Sequence, residues 1–234
     1  MRIQGITVLA FAAAMGCMHG GARGEAKSST VAEADVGRLG PDQRGLVDQA
    51  RQALARARDA RSRTSLRLQQ AENEENTAKA DQQAAEADQQ VADAQQRVAN
   101  DSRAADALEK ARLLQERAKA HKHVADAHRE YARKLIDQRK AEMQAAEQQV
   151  KVAELRVERS KLQALEQANN PAAAKYDPGR FETAVNDAQG DLDKTAQKAR
   201  DLEAQATAAR QRWEDSERLQ AEGGADQTGT GSGR

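Results

Sequence analysis

Aromatic residues are nearly missing from this chain, which has one tryptophan, two tyrosines and two phenylalanines in 234 residues. Aromatic side chains supply much of the area buried in a globular core, so a thick interior is excluded. A surplus of either charge is also missing: 37 basic residues stand against 37 acidic ones. Nothing in that balance points to nucleic acid or to a strongly charged partner. Proline occurs only at 41, 171 and 178, and neither proline nor glycine falls between Leu46 and Asn170. Disordered polar segments are usually rich in both, so a long run of strong helix formers without them reads as helix. What remains is 38% hydrophobic, mostly alanine, and each buried methyl is worth only about 0.8 kcal/mol. Such a composition suits either disorder or long helices, and periodicity decides between them.

The only cysteine, Cys17, stands directly behind an apolar run from residue 3 to residue 16. A membrane-spanning helix needs about 20 residues; this run is shorter and fits the apolar region of a secretory signal peptide behind Met1-Arg2. Ala14-Met15-Gly16-Cys17 resembles the lipobox of bacterial lipoproteins, with alanine at the usual leucine position. The resemblance implies cleavage after Gly16 and a diacylglycerol on the sulfur of Cys17. It also implies a chain anchored in the cell envelope and facing the periplasm, and stable anchoring needs more than one acyl chain. Met18, where aspartate would retain such a protein in the inner membrane, points toward the outer membrane. The competing readings are an ordinary secreted protein cut after Ala22, and a buried cysteine in a cytosolic helix.

The expected organisation is a signal peptide over 1–16, a flexible tether over 17–41, a coiled-coil helix over 42–168, a loop over 169–177, a second helix over 178–222 and a disordered tail over 223–234. The tether and tail are small, polar and glycine-bearing. Asp42 is the expected N-cap of the first helix. Asn169-Asn170-Pro171 ends that helix, since the residue before proline is pushed out of the α region. Asp177 then caps the second, with Pro178 at its first position.

The second helix carries a heptad: Val185, Leu192, Ala199, Ala206 and Trp213 in one set, Ala188, Thr195, Leu202, Ala209 and Ser216 in the other. Ile136, Met143, Val150, Val157 and Ala164 repeat the spacing in the first, with Ala132, Ala146, Ala153 and Ser160 beside them and Arg139 as a flaw. Folding back near residue 172 pairs residues whose numbers sum to about 345. Large side chains then face small ones, and Trp213 lands beside Tyr131 and Ala132. Upstream, a step of eleven links Ala80, Val91, Ser102, Leu113, Val124, Leu135, Ala146, Val157 and Ala168, a period that straightens a supercoil. The fold class is therefore all-α: a long helix folding back through a proline-flanked loop into an antiparallel coiled-coil hairpin. Unbroken from 45 to 168, that helix would be roughly 185 Å long at 1.5 Å per residue. Residues 73 to 76 and 100 to 102, where Asn, Asp and Ser favour caps, are the candidate breaks, and a break at 100 to 102 would make a three-helix bundle instead.

Chemistry is sparse. His121, His123 and His128 lack the i, i+4 spacing of zinc ligands on a helix and read as solvated or seam residues; His19 lies in the tether. No phosphate loop, nucleophile elbow or paired-cysteine motif occurs, so no catalytic, metal or cofactor site is expected. Arg129, Arg133, Lys134, Arg139 and Lys140 form a basic patch, read as i, i+4 pairing such as Glu130 with Lys134. The resulting expectation is not an enzyme but a lipid-anchored structural, scaffolding or tethering protein. Its partners are the membrane and either another protein or a second copy, met by helix contact, with no nucleic acid and no small-molecule substrate. The alternative is a periplasmic module that binds unfolded clients.

Overall fold

The computed structural model describes residues 30–225, and these are all-α. A short turn of helix, α1 (Glu33–Val36), leads into α2 (Pro41–Ser102), α3 (Ala105–Gln167) and α4 (Pro178–Ala225), with a 3-10 turn over Pro171–Lys175 before the last. The two long connections are tight, so successive helices run antiparallel, and both α2 and α4 pack along α3. At 1.5 Å per residue, α2 and α3 are each about 95 Å long and α4 about 72 Å. None of these helices is long and apolar enough to cross a membrane.

The continuous helix expected from 45 to 168 does not form. The chain reverses at Arg103 and Ala104, one residue past the Asn100-Asp101-Ser102 signal, and stays helical through residues 73 to 76. Arg103 adopts φ 55°, ψ 14° and ends α2 by donating its N–H to the carbonyl of Ala99 at 3.1 Å. Ser102 Oγ also donates to that carbonyl, at 2.9 Å. Ala104 then returns to extended geometry and its carbonyl accepts from the Leu108 N–H to begin α3. A left-handed conformation costs a residue with a Cβ about 1–2 kcal/mol, whereas glycine adopts it freely at an entropic cost of roughly 0.5–1 kcal/mol. Arg103→Gly is therefore expected to stabilise the fold by about 0.5–1 kcal/mol, read as a higher denaturant midpoint; a fall in midpoint would show that the arginine side chain holds the turn.

The second reversal follows the sequence closely. Asn169 takes φ 49°, its N–H reaches the carbonyl of Glu166, and the Asn170 N–H reaches that of Leu165, both at 2.9 Å. That pair of bonds is the Schellman ending of a helix, with asparagine in the left-handed position. Asn170 Oδ1 accepts from the Ala172 N–H at 3.0 Å, starting the 3-10 turn, and Asp177 Oδ1 accepts from the Gly179 N–H at 3.1 Å, starting α4. α4 runs three residues further than expected, through Ala225. At the other end of the molecule Gly40, not Asp42, is the N-cap of α2, and Pro41 is its first helical residue. Proline suits that position because its missing N–H has no partner there anyway. Gln43 Oε1 accepts from the Gly40 N–H at 3.1 Å.

The seam between α3 and α4 keeps the expected heptads. All ten positions named on α4 are buried or half-buried, as are Ala132, Ile136, Met143, Ala146, Val150, Ala153, Val157, Ser160 and Ala164 on α3. Arg139, the flaw, is half-buried and bonds Glu142 at 2.7 Å. The eleven-residue step fails on α2, where Ala80 and Val91 are exposed. The seam there is a heptad of alanines, Ala57, Ala71, Ala78, Ala85, Ala92 and Ala99, all buried, with half-buried Thr64 completing the series. A methyl-lined seam lets two helices lie close, so the contact gains from dense packing more than from buried area.

Among the described residues, the buried large aliphatic side chains cluster at the base, the end opposite the Arg103 turn. Leu162 and Leu165 of α3, Val47 of α2, Tyr176 of the connection and Phe181 of α4 form one cluster with Val31, Val36 and Leu39. The last three belong to the segment expected to be a free tether. Residues 30 to 40 instead lie as a strap across the base, because three apolar side chains in a polar stretch find the one apolar surface large enough to bury them.

Candidate functional site

Three places on the rod concentrate chemistry: the strap at the base, a histidine at mid-length, and a groove toward the tip. Cys17, the expected lipidation site, and His19 lie outside the described residues.

The strap is held by polar bonds as well as by its apolar side chains. Val31 N–H donates to Glu158 Oε2 at 2.8 Å. Tyr176 Oη accepts from the Ala32 N–H and donates to Asp35 Oδ2, each at 3.1 Å. Lys161, nearly buried, reaches Glu33 at 2.6 Å and Glu158 at 2.7 Å, and Arg51 reaches Glu33 at 2.8 Å. The hydrogen bond from Lys161 is the main reason the Glu33 carboxyl titrates below its ordinary 4.5; partial burial opposes it, and the charges of Lys161 and Arg51 add to it. Burial acts against the Lys161 ammonium, but its bonds to Glu158 and Glu33 outweigh that and hold it above its ordinary 10.5.

These shifts set the sign of the strap's pH dependence. A carboxylate with a lowered folded value stabilises the docked state above its ordinary value and loses that contribution as pH falls below about 4.5. A lysine with a raised folded value contributes fully below 10.5 and loses it as pH rises beyond. The Leu39 amide, which donates to the Val36 carbonyl, is therefore expected to lose exchange protection between pH 5 and pH 3 while the α3–α4 seam keeps its own. In Glu33→Gln that acid step should flatten. An identical step in the variant would remove Glu33 as its source.

At mid-length, His128 of α3 is 4% exposed. Its Nδ1 lies 2.8 Å from Asp81 Oδ2 and its Nε2 2.9 Å from Glu74 Oε1, both on α2. The ring stacks on Trp213 of α4 with centroids 4.1 Å apart and planes 9° apart. Tyr131, one turn along α3, stacks on the same indole at 5.4 Å. One imidazole thus joins all three long helices, and in its doubly protonated form it donates to both carboxylates at once, with a cation–π contribution from the indole. Both nitrogens are engaged and the ring is enclosed, so the arrangement clamps helices. His121 repeats half of the pattern one heptad away, with Nδ1 2.8 Å from Asp88 Oδ2, and His123 is exposed. No group of three His, Cys, Asp or Glu among the described residues is placed to hold a metal ion.

The metal-spacing criterion could not find this clamp, but a signal was present. Asp81 and Asp88 are seven apart, and so are His121 and His128, so an antiparallel α2–α3 pair aligns both couples. The basic patch also resolves differently from the expected Glu130–Lys134 pair. Glu130 bonds Arg212 at 3.1 Å and Lys134 donates to Gln205 at 3.2 Å, so both reach across to α4. With Arg156 donating to Gln189 at 2.9 Å, these bonds fix the register of α3 against α4 near the expected one.

Toward the tip, Val91, Ala92, Leu114, Ala118 and Leu219 line an open groove of about 770 Å³ where α4 runs out. Leu219 is 66% exposed, Val98 65%, Leu66 60% and Val91 57%. Compared with protein-family models, curated proteins and solved structures, the chain matches none of them.

Proposed function

We propose that this protein is a lipid-anchored coiled-coil rod of the bacterial cell envelope, tethered through Cys17 and acting as a scaffold or spacer through helix contacts instead of through catalysis. The observation that supports this reading most is the docked strap. It leaves about 13 residues between Cys17 and Thr30, a reach of at most about 45 Å, so a lipid on Cys17 would keep the base close to the membrane. The Arg103 turn would then stand about 95 Å beyond the base. A tether that bonds to the foot of the rod presents its far end outward, which suits a spacer.

The test is acyl labelling and fractionation of the native chain against Cys17→Ser. The variant is expected to lose the label and move to the soluble fraction. Continued pelleting with membranes would count against the anchor.

A further inference from the structure

The groove near the tip is the edge of a longer uncovered face. Val91 and Val98, with Ala84, occupy one heptad position of α2; Leu66, Ala80, Ala87 and Ala94 occupy the position three residues on. Every one of these seven side chains is exposed, and they include three of the five large apolar residues exposed on the described chain. A fourth, Leu219 of α4, meets Val91 across the groove. This is a coiled-coil seam set beside the buried alanine seam, with Val91 at the edge of the groove that Leu114 and Ala118 of α3 also line.

The segments that flank the described residues in this sequence offer little to cover it. Residues 226–234 contain no apolar side chain. On the anchor reading above, the apolar run over residues 3–16 is removed with the signal peptide.

We infer that this face of α2 pairs with the same face of a second copy, with the two rods parallel and in register. This deepens the helix-contact reading above. The choice rests on the flanks. Glu74, Asp81 and Asp88 border the seam on one side; Asn76, Gln83 and Gln90, followed by Arg97, border it on the other. In a parallel pair, each flank faces the opposite flank of its neighbour, so Asp81 and Asp88 meet the amides of Asn76 and Gln83 on the second copy. An antiparallel pair brings like flanks together; with Val98 against Ala80 it sets Asp88 against Asp88 at the centre and leaves Asp81 beside Gln95, and such flanking charges decide orientation. Parallel rods also bring both straps to one end, as two anchors in one membrane require.

The test uses the full chain with Cys17→Ser, so that acylation plays no part, and places single cysteines at Val91, at Val98 and, as a control on the far side of α2, at Glu86. With a short bismaleimide, Val91→Cys and Val98→Cys are each expected to give at least tenfold more covalent dimer than Glu86→Cys. Val91→Lys combined with Val98→Lys should leave helix content unchanged, since both side chains are exposed, and sediment as a monomer. Control-level crosslinking with monomeric sedimentation of the parent at 100 µM would overturn the proposal. So would crosslinking confined to mixtures of Val98→Cys with Ala80→Cys, the antiparallel pattern. Neither result touches the anchor, which is read from acyl labelling of the native chain.

Discussion

Leu165→Ala is expected to destabilise the base by about 3–4 kcal/mol. Leu165 is fully buried among Val31, Val36, Leu39, Val47, Leu162, Tyr176 and Phe181. Removing a buried leucine side chain costs its transfer energy plus that of the cavity left behind, typically 2–5 kcal/mol. The upper part of that range applies because four separate segments, the strap, α2, the 171–176 connection and α4, all close on this side chain and cannot all move in to fill the gap. Domains have only about 5–15 kcal/mol in total. The loss should also be local, because in a slender rod each stretch contacts only what lies beside it and regions can open separately. Amides of the strap and of residues 176 to 185 should exchange faster while those near Ala78 and Ala132 keep their protection. A loss below 1 kcal/mol would mean that the cluster is loosely filled and that the alanine seams hold the fold alone.

His128→Ala is expected to cost about 2–3 kcal/mol. The substitution leaves a void against the only tryptophan and removes the ring whose two nitrogens bond Glu74 and Asp81. Both carboxylates are partly exposed, at 37% and 48% of the side chain, so water re-solvates them, and the cost stays below that of stranding a buried charge. Trp213 reports the change directly: its emission should shift to the red as water reaches the face that the imidazole covered. His128→Phe should restore the stack, and so the emission, without restoring the bonds to α2. If His128→Ala leaves both emission and midpoint unchanged, the histidine is a bystander in the seam.

How far the sequence carried depended on what each feature needed. The second reversal is written in local chemistry, Asn169-Asn170-Pro171 and Asp177-Pro178, and the structure uses every one of those residues. The α4 heptad stands out because Val185, Leu192, Leu202 and Trp213 are large in a background of alanine. The first reversal was only half legible: Asn100, Asp101 and Ser102 mark its approach, but the left-handed residue is an arginine, which no turn preference favours. The α2 seam was hidden because alanine lies both on it and off it, so an eleven-residue step through Ala80 and Val91 looked as regular as the true seven. The strap and the histidine clamp depend on tertiary contacts. Val31, Val36 and Leu39 become core only once the base exists, and His128 meets Asp81 only once the chain turns at Arg103.

The unequal helix lengths have a mechanical consequence. α4 has 48 residues against 63 in α3, so a single molecule is three strands thick for most of its span and only two in roughly the last 22 Å. Thinner beams flex more under the same sideways force, which makes an isolated molecule a stiff shaft with a compliant end. Whatever the far end touches would bend that end first and disturb the base least.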